Sequence, residues 1–169
     1  MQISMIKKFI VISFLSIIFS RLIPHPPNFT STFAIAFYLP ALFGLKYIIV
    51  ATTAFIVCDL IIGLHPLIFF TWLGLILVGL ISQAFTKYYF RVPGVMIGVL
   101  IFFFVSNFGV WLLSDMYSQD LKGLTQCYIM GLPFLQNSLI GSLLFSLIFE
   151  SMIIFKSTRT FIRKVNANF

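Results

Sequence analysis

Residues 93–113 read PGVMIGVLIFFFVSNFGVWLL, a run without a single charged residue. A helix rising 1.5 Å per residue needs about 20 residues to cross a bilayer, and this run supplies them. Asn107 is its most polar side chain. Working outward on the same criterion, spans are expected near residues 6–23, 31–45, 46–63, 66–86, 93–113 and 134–155. The second is short and contains Pro40, which predicts a tilted, kinked or partly re-entrant helix. A further amphipathic stretch, Leu121 to Met130, is too short to cross, and it is expected to lie along one surface or dip back into the bundle. The fold class predicted is an all-α integral membrane protein, a single bundle of six transmembrane helices over residues 1–169 with a short amphipathic or re-entrant segment in the last outer loop.

Composition agrees with that reading. The chain is 60% hydrophobic and 18% aromatic, with 22 Phe and only 9% charged residues, which no water-soluble domain of 169 residues would tolerate. Connections of a few residues leave no room for a second, soluble domain, so function is expected in or at the bilayer. The amino-terminal run Phe9 to Phe19 after Lys7-Lys8 resembles a signal peptide, but Phe19-Ser20-Arg21 is a poor cleavage site, and a retained first span is expected. Cys58 and Cys127 have neither CxxC nor metal-ligand spacing and read as small buried residues.

The net charge of +7 comes from 11 Lys plus Arg against 4 acids. In a soluble protein such a balance would raise nucleic acid as a partner, but here no continuous basic patch exists. Orientation explains the cations instead. With a cytoplasmic amino terminus, Lys7, Lys8, Lys46, Lys87, Arg91, Lys156, Arg159, Arg163 and Lys164 all fall inside, and only Lys122 and the embedded Arg21 fall outside. Both termini are then cytoplasmic, and the protein is expected in the cytoplasmic (inner) membrane. The outer face carries the His25-Pro26-Pro27-Asn28 loop, the Gly63-Leu64-His65-Pro66 turn and a longer Ser114 to Gly131 connection of the kind that acts as a lid. No repeat of 20 to 50 residues is visible, which disfavours an inverted-repeat transporter.

Depth counting brings the polar residues to one level. Arg21 lies 13 residues beyond Lys8, and Asp59 lies 13 beyond Lys46, so each stands roughly 20 Å above the inner edge. Trp72 and Asn107 fall at about 22 to 24 Å on the same rise, with Trp111 and Asn137 slightly higher. An ion in lipid is expensive unless paired or used, so Arg21, Asp59 and Asn107 mark the expected site. His25, Asn28 and His65 flank it in outer loops, and Trp72 or Trp111 can pack on a solute or serve as interfacial belt residues. A buried ion pair that only staples the first and third helices is the competing reading. Two His and one Asp could bind a transition metal, but nothing in the spacing demands it, and neither a metal nor a cofactor is expected. Ser13, Ser16 and Ser20 on the first span, and Ser138, Ser142 and Ser146 beside Gly141 on the last, form small-residue stripes for internal packing or for docking a second membrane protein. Glu150 is too deep toward the inner side to join the outer layer, and it is expected to snorkel toward Lys156 or meet a partner. With no HExxH, GxSxG, Walker loop or paired aspartates, an enzyme is not expected.

The strings Arg21-Leu22-Ile23-Pro24-His25-Pro26-Pro27-Asn28-Phe29, Cys58-Asp59-Leu60-Ile61-Ile62-Gly63-Leu64-His65 and Ser106-Asn107-Phe108-Gly109-Val110-Trp111-Leu112 resemble a family of small bacterial membrane proteins of unassigned function. Gly123 to Leu139 extends the likeness across most of the chain. In layout that family resembles the substrate-binding S components of energy-coupling factor (ECF) transporters, which bind a vitamin or metal ion in an outer pocket capped by loops. The resemblance implies a transmembrane coupling subunit and two cytoplasmic ATPases as partners. The chain departs from it on the first helix, where Ser16-x-x-x-Ser20 stands in for an Ala-x-x-x-Ala contact, and it lacks the amino-terminal Met-His of the nickel and cobalt type. The function expected is capture of a small polar or charged solute for an ATP-driven importer, with a non-transporting scaffold whose polar layer only staples helices as the alternative.

Overall fold

A computed structural model of the chain describes residues 2–154 together with Thr160 and Ile162, with side chains from residue 6 onward. The inner cations expected at Lys156, Arg159, Arg163 and Lys164, and the last residue of the final span, lie outside the described residues. All regular structure described is helical: α1 (Gln2–Leu22), α2 (Thr32–Phe43), α3 (Ile48–Ile62), α4 (Ile68–Ile81), α5 (Tyr88–Leu113) and α6 (Leu121–Ile154), with single 3-10 turns at Leu45–Tyr47 and Ser82–Phe85. Four segments among the described residues are long and apolar enough to cross a membrane: Leu45–Ile62, Ile68–Phe85, Tyr88–Leu113 and Leu121–Ile154.

The short second helix is the centre of the bundle. Its sequence, TFAIAFYLPALF, is apolar on every side, so it has no face to offer to water, and such a helix belongs inside. Every residue of α2 except Ala41 is buried, and it touches all five other helices. Twelve residues rise only about 18 Å, against a hydrocarbon core of about 30 Å, so α2 does not cross by itself. Gly44 ends it, and Gly63 ends α3, each with a positive φ (101° and 120°) that side-chain-bearing residues rarely adopt. Their N–H groups donate to Pro40 O (3.0 Å) and Asp59 O (2.9 Å), satisfying carbonyls that the helix ends would leave open.

The expected amphipathic or re-entrant segment at 121–130 is not a separate element. It is the first part of α6, whose 34 residues rise about 51 Å. The connection from α5 therefore shrinks to residues 114–120. Asp120 explains the early start, because its Oδ1 accepts the Gly123 N–H at 2.7 Å and the Ser118 hydroxyl at 2.9 Å, capping the first turn. Those bonds, the Gly123 N–H first, hold the exposed Asp120 carboxyl below its ordinary range. A group whose pKa is depressed on folding stabilises above its unfolded pKa, and that contribution is lost as pH falls through the folded value. Asp120→Ala is thus expected to lower the melting temperature at neutral pH, and the gap to the parent should close in acid below the usual carboxylate range.

Contacts along this stretch tie it to α5. Cys127 Sγ donates to Asn107 O (3.3 Å), Tyr128 Oη to Phe104 O (3.0 Å), and Gly131 faces Asn107. A Cβ at Gly131 would sit 2.6 Å from Asn107 Oδ1 and 2.9 Å from Phe103 Cε2. Gly131→Ala should therefore separate the two helices locally and cost about 1–3 kcal/mol, the range for overpacking, read as a lower melting temperature in detergent. Adding Asn107→Ala should recover part of that loss.

Two expectations about the inner end are corrected. Arg91 is not a solvated loop cation, and Glu150 does not snorkel away. Arg91 Nε and Nη2 donate to Glu150 Oε1 and Oε2, both at 2.7 Å, and Nη1 donates to Thr86 O at 3.1 Å. Tyr38 Oη adds a third bond to Glu150, at 2.8 Å, while its ring stacks on Phe149 with centroids 5.0 Å apart. The paired side chains are mostly buried, and the planar fork of arginine matches a carboxylate edge to edge, so the cluster clamps α2, α5 and α6 together. The serine stripes also face inward. Ser16 and Ser20 bond Ser31 at the start of α2 (3.2 and 3.0 Å), and Ser138, Ser142 and Ser146 are buried. They provide for close helix approach.

Candidate functional site

A cavity of about 520 Å³ opens at the end of the bundle where the α1–α2, α3–α4 and α5–α6 connections meet. That size is within the range of small-molecule sites. Arg21 from α1, His25 and Asn28 from the following loop, His65 before α4 and Asn107 from α5 all line it. Phe33, Phe55, Phe102, Met130 and Phe134 supply apolar wall, and Thr30, Thr71, Ser106 and Tyr117 add hydroxyls.

Arg21 is held from behind. Its Nη2 donates to Asp59 Oδ1 at 2.7 Å, and Trp72 Nε1 donates to Asp59 Oδ2 at 2.8 Å, so both carboxylate oxygens are engaged. Asp59 is only 2% exposed, while the Arg21 side chain keeps 18%. The pair therefore turns its positive end to the cavity. The guanidinium carbon stands 3.7 Å from the centroid of the Phe55 ring, a cation–π contact that keeps the group flat against the wall. Arg21 Nε is buried and has no hydrogen-bond partner among the described residues. Arg91 differs in that all three of its guanidinium nitrogens donate a hydrogen bond.

Local bonds also set what the other polar groups present. The Leu67 N–H donates to His65 Nδ1 (3.2 Å), so that nitrogen is unprotonated and the neutral ring carries its proton on Nε2. His25 Nδ1 lies 2.6 Å from Ile23 O, a contact that requires an N–H on that nitrogen. Asn107 Nδ2 donates to Phe103 O at 2.9 Å, one turn back on its own helix, leaving Oδ1 as the group able to accept. Asn28 sits at φ 64°, a left-handed conformation that asparagine tolerates better than most residues.

Four of the residues anticipated from sequence have other roles or places. Asp59 and Trp72 stand behind Arg21 rather than on the cavity wall. Trp111 Nε1 donates to Ser118 O (3.0 Å), and its carbonyl accepts Gln119 Nε2 (2.6 Å), so it fastens the 114–120 connection and is not on the cavity wall. Asn137 is not on the cavity wall either. Depth counting carries no information on which way a side chain turns. The aromatic wall went unread because phenylalanine is so common here that no single one stands out. The inner cluster was legible in principle: Glu150 is an acid deep in an apolar run, as Asp59 is, and the same need for a partner applies. Among the described residues no group of three or more His, Cys, Asp or Glu could hold a metal ion.

No curated protein and no solved structure matches the chain. One family model matches it, over residues 3–163, and with nearly the whole length covered the protein belongs to that family, the family of unknown function DUF6580.

Proposed function

We propose that this is an integral membrane protein that captures a small polar or charged solute in the cavity beside Arg21, as the substrate-binding subunit of an ATP-driven importer. The observation that carries this reading is a partly exposed guanidinium, paired on one side with Asp59, on the wall of an open 520 Å³ cavity. A charge kept in that state within an apolar bundle is costly as mere structure and useful as a receptor. Polar groups from three separate connections converge on the same space, as expected of a site rather than a packing fault.

Orientation follows from charge. Lys7 and Lys8 lie in the first half of α1, and Lys46 and Lys87 lie in the α2–α3 and α4–α5 connections, all toward the end away from the cavity, which supports a cytoplasmic position for that end and a cavity open to the outside of the inner membrane. Labelling of single cysteines from outside should modify Lys122→Cys and spare Lys87→Cys, and the reverse pattern would overturn this topology. Coupling to a transmembrane subunit and cytoplasmic ATPases is part of the proposal, on the resemblance to S components. Because Ser16 and Ser20 are engaged with Ser31, such a partner would use another face of the bundle.

The scaffold reading has one observation in its favour, the complete engagement of Asp59 by Arg21 and Trp72. Gentle extraction, native mass spectrometry and analysis of released small molecules decide between the two. Capture predicts a stoichiometric compound that is lost when Arg21 and Asp59 are both replaced. Repeated preparations with no compound, together with normal growth or uptake in the double variant, would leave the scaffold ahead.

A further inference from the structure

We infer that the cavity takes a monocarboxylate with an apolar body, its carboxylate on the guanidinium of Arg21. The inference rests on the capture reading above and adds the chemical class. Among the described residues Arg21 is the single formally charged side chain on the wall, and no aspartate or glutamate lines it. The nearest acid, Asp59, is 2% exposed with both oxygens engaged, so it cannot accept a bond from a solute or hold a cation. Arg21 makes one hydrogen bond to an oxygen, whereas its guanidinium has five N–H groups, and a carboxylate is the group whose two oxygens match that planar fork. His65 adds a ring N–H, fixed on Nε2 by the Leu67 bond.

Charge sets the anion's size. Arg21 with Asp59 behind it is net neutral, so every charge on a bound anion is uncompensated and a monoanion costs less than a phosphate dianion, for which no further cation lines the wall among the described residues. Phe33, Phe55 and Phe102 fit the rest of the molecule, because they are apolar and Phe33 meets Phe102 edge to face at 4.6 Å, forming a firm surface for a flat body.

The test uses the purified full chain in phosphatidylcholine nanodiscs with three probes of one shape: benzoate, benzamide and benzylammonium. Benzoate should raise the melting temperature and bind about tenfold or more tighter than benzamide, with benzylammonium not binding. Arg21→Lys, which keeps charge but loses the fork, should weaken benzoate at least several-fold. His65→Phe, away from the ion pair, should fold normally and also weaken benzoate, which keeps the test open if Arg21→Lys folds poorly. Benzamide or benzylammonium binding as tightly as benzoate would overturn the class and leave capture standing. Inorganic phosphate binding tighter than benzoate, or phosphatidylglycerol in the nanodisc abolishing the benzoate shift, would assign the site to a phosphate or a lipid headgroup and overturn the inference. If none of the probes binds, the compound released on gentle extraction decides: a carboxylate supports the class, another chemistry overturns it, and no compound at all overturns capture as well.

Discussion

Asp59→Leu alone should destabilise the protein by about 3–5 kcal/mol, whereas Arg21→Met with Asp59→Leu should fold close to normally. The single change leaves the Arg21 guanidinium without its counter-ion, 2.7 Å away in the parent, and strips Trp72 Nε1 of its acceptor at 2.8 Å. An unpaired charge lying mostly buried against Phe55 has only its cavity edge left to be solvated. Removing both ions removes the penalty together with the attraction, and swaps of whole buried pairs for apolar residues are often neutral. Thermal unfolding in a mild detergent measures the stability of each variant. The double variant then isolates function: it should fold yet retain no solute, because the cavity wall loses the guanidinium of Arg21. Equal losses in single and double variants would show that the pair is indispensable for packing.

Glu150→Leu should have an effect of similar size at the other end of the bundle, about 3–5 kcal/mol. Three donors lose their acceptor at once, since Arg91 Nε, Arg91 Nη2 and Tyr38 Oη all point at this carboxylate. Tyr38 is fully buried, so its hydroxyl has no water to turn to. Glu150→Gln keeps the shape and an acceptor oxygen and should cost less. Tyr38→Phe should cost about 0.5–1.5 kcal/mol, the net worth of one hydrogen bond, because Glu150 stays paired with Arg91. Solute binding should survive in whichever of these variants folds, as none of the three residues lines the cavity. A Glu150→Leu protein as stable as the parent would remove the clamp from the account of the fold.

Much of this protein was legible in its residues alone. Runs such as 93–113 have one physical solution, a helix in an apolar medium, because their backbone groups must be bonded within the segment. Arg21 and Asp59 were legible as a pair, since each needed a partner and a fixed rise per residue put them at one depth. Tertiary structure decided the rest. That α2 is a buried post at the centre depends on five neighbours converging on it, which its apolar sequence permits but cannot specify. That Trp72 braces Asp59, Trp111 fastens a connection and Asn107 turns its amide to Phe103 O are matters of side-chain direction around a helix axis, invisible to a count of depth. Residues 121–130 continue into α6 because Asp120 caps the turn before them and Gly131 lets the helix close on Asn107, contacts that exist only once α5 is in place. Arg91 and Glu150 stand 59 positions apart, and burial against Tyr38 is what selects their pairing over contact with water.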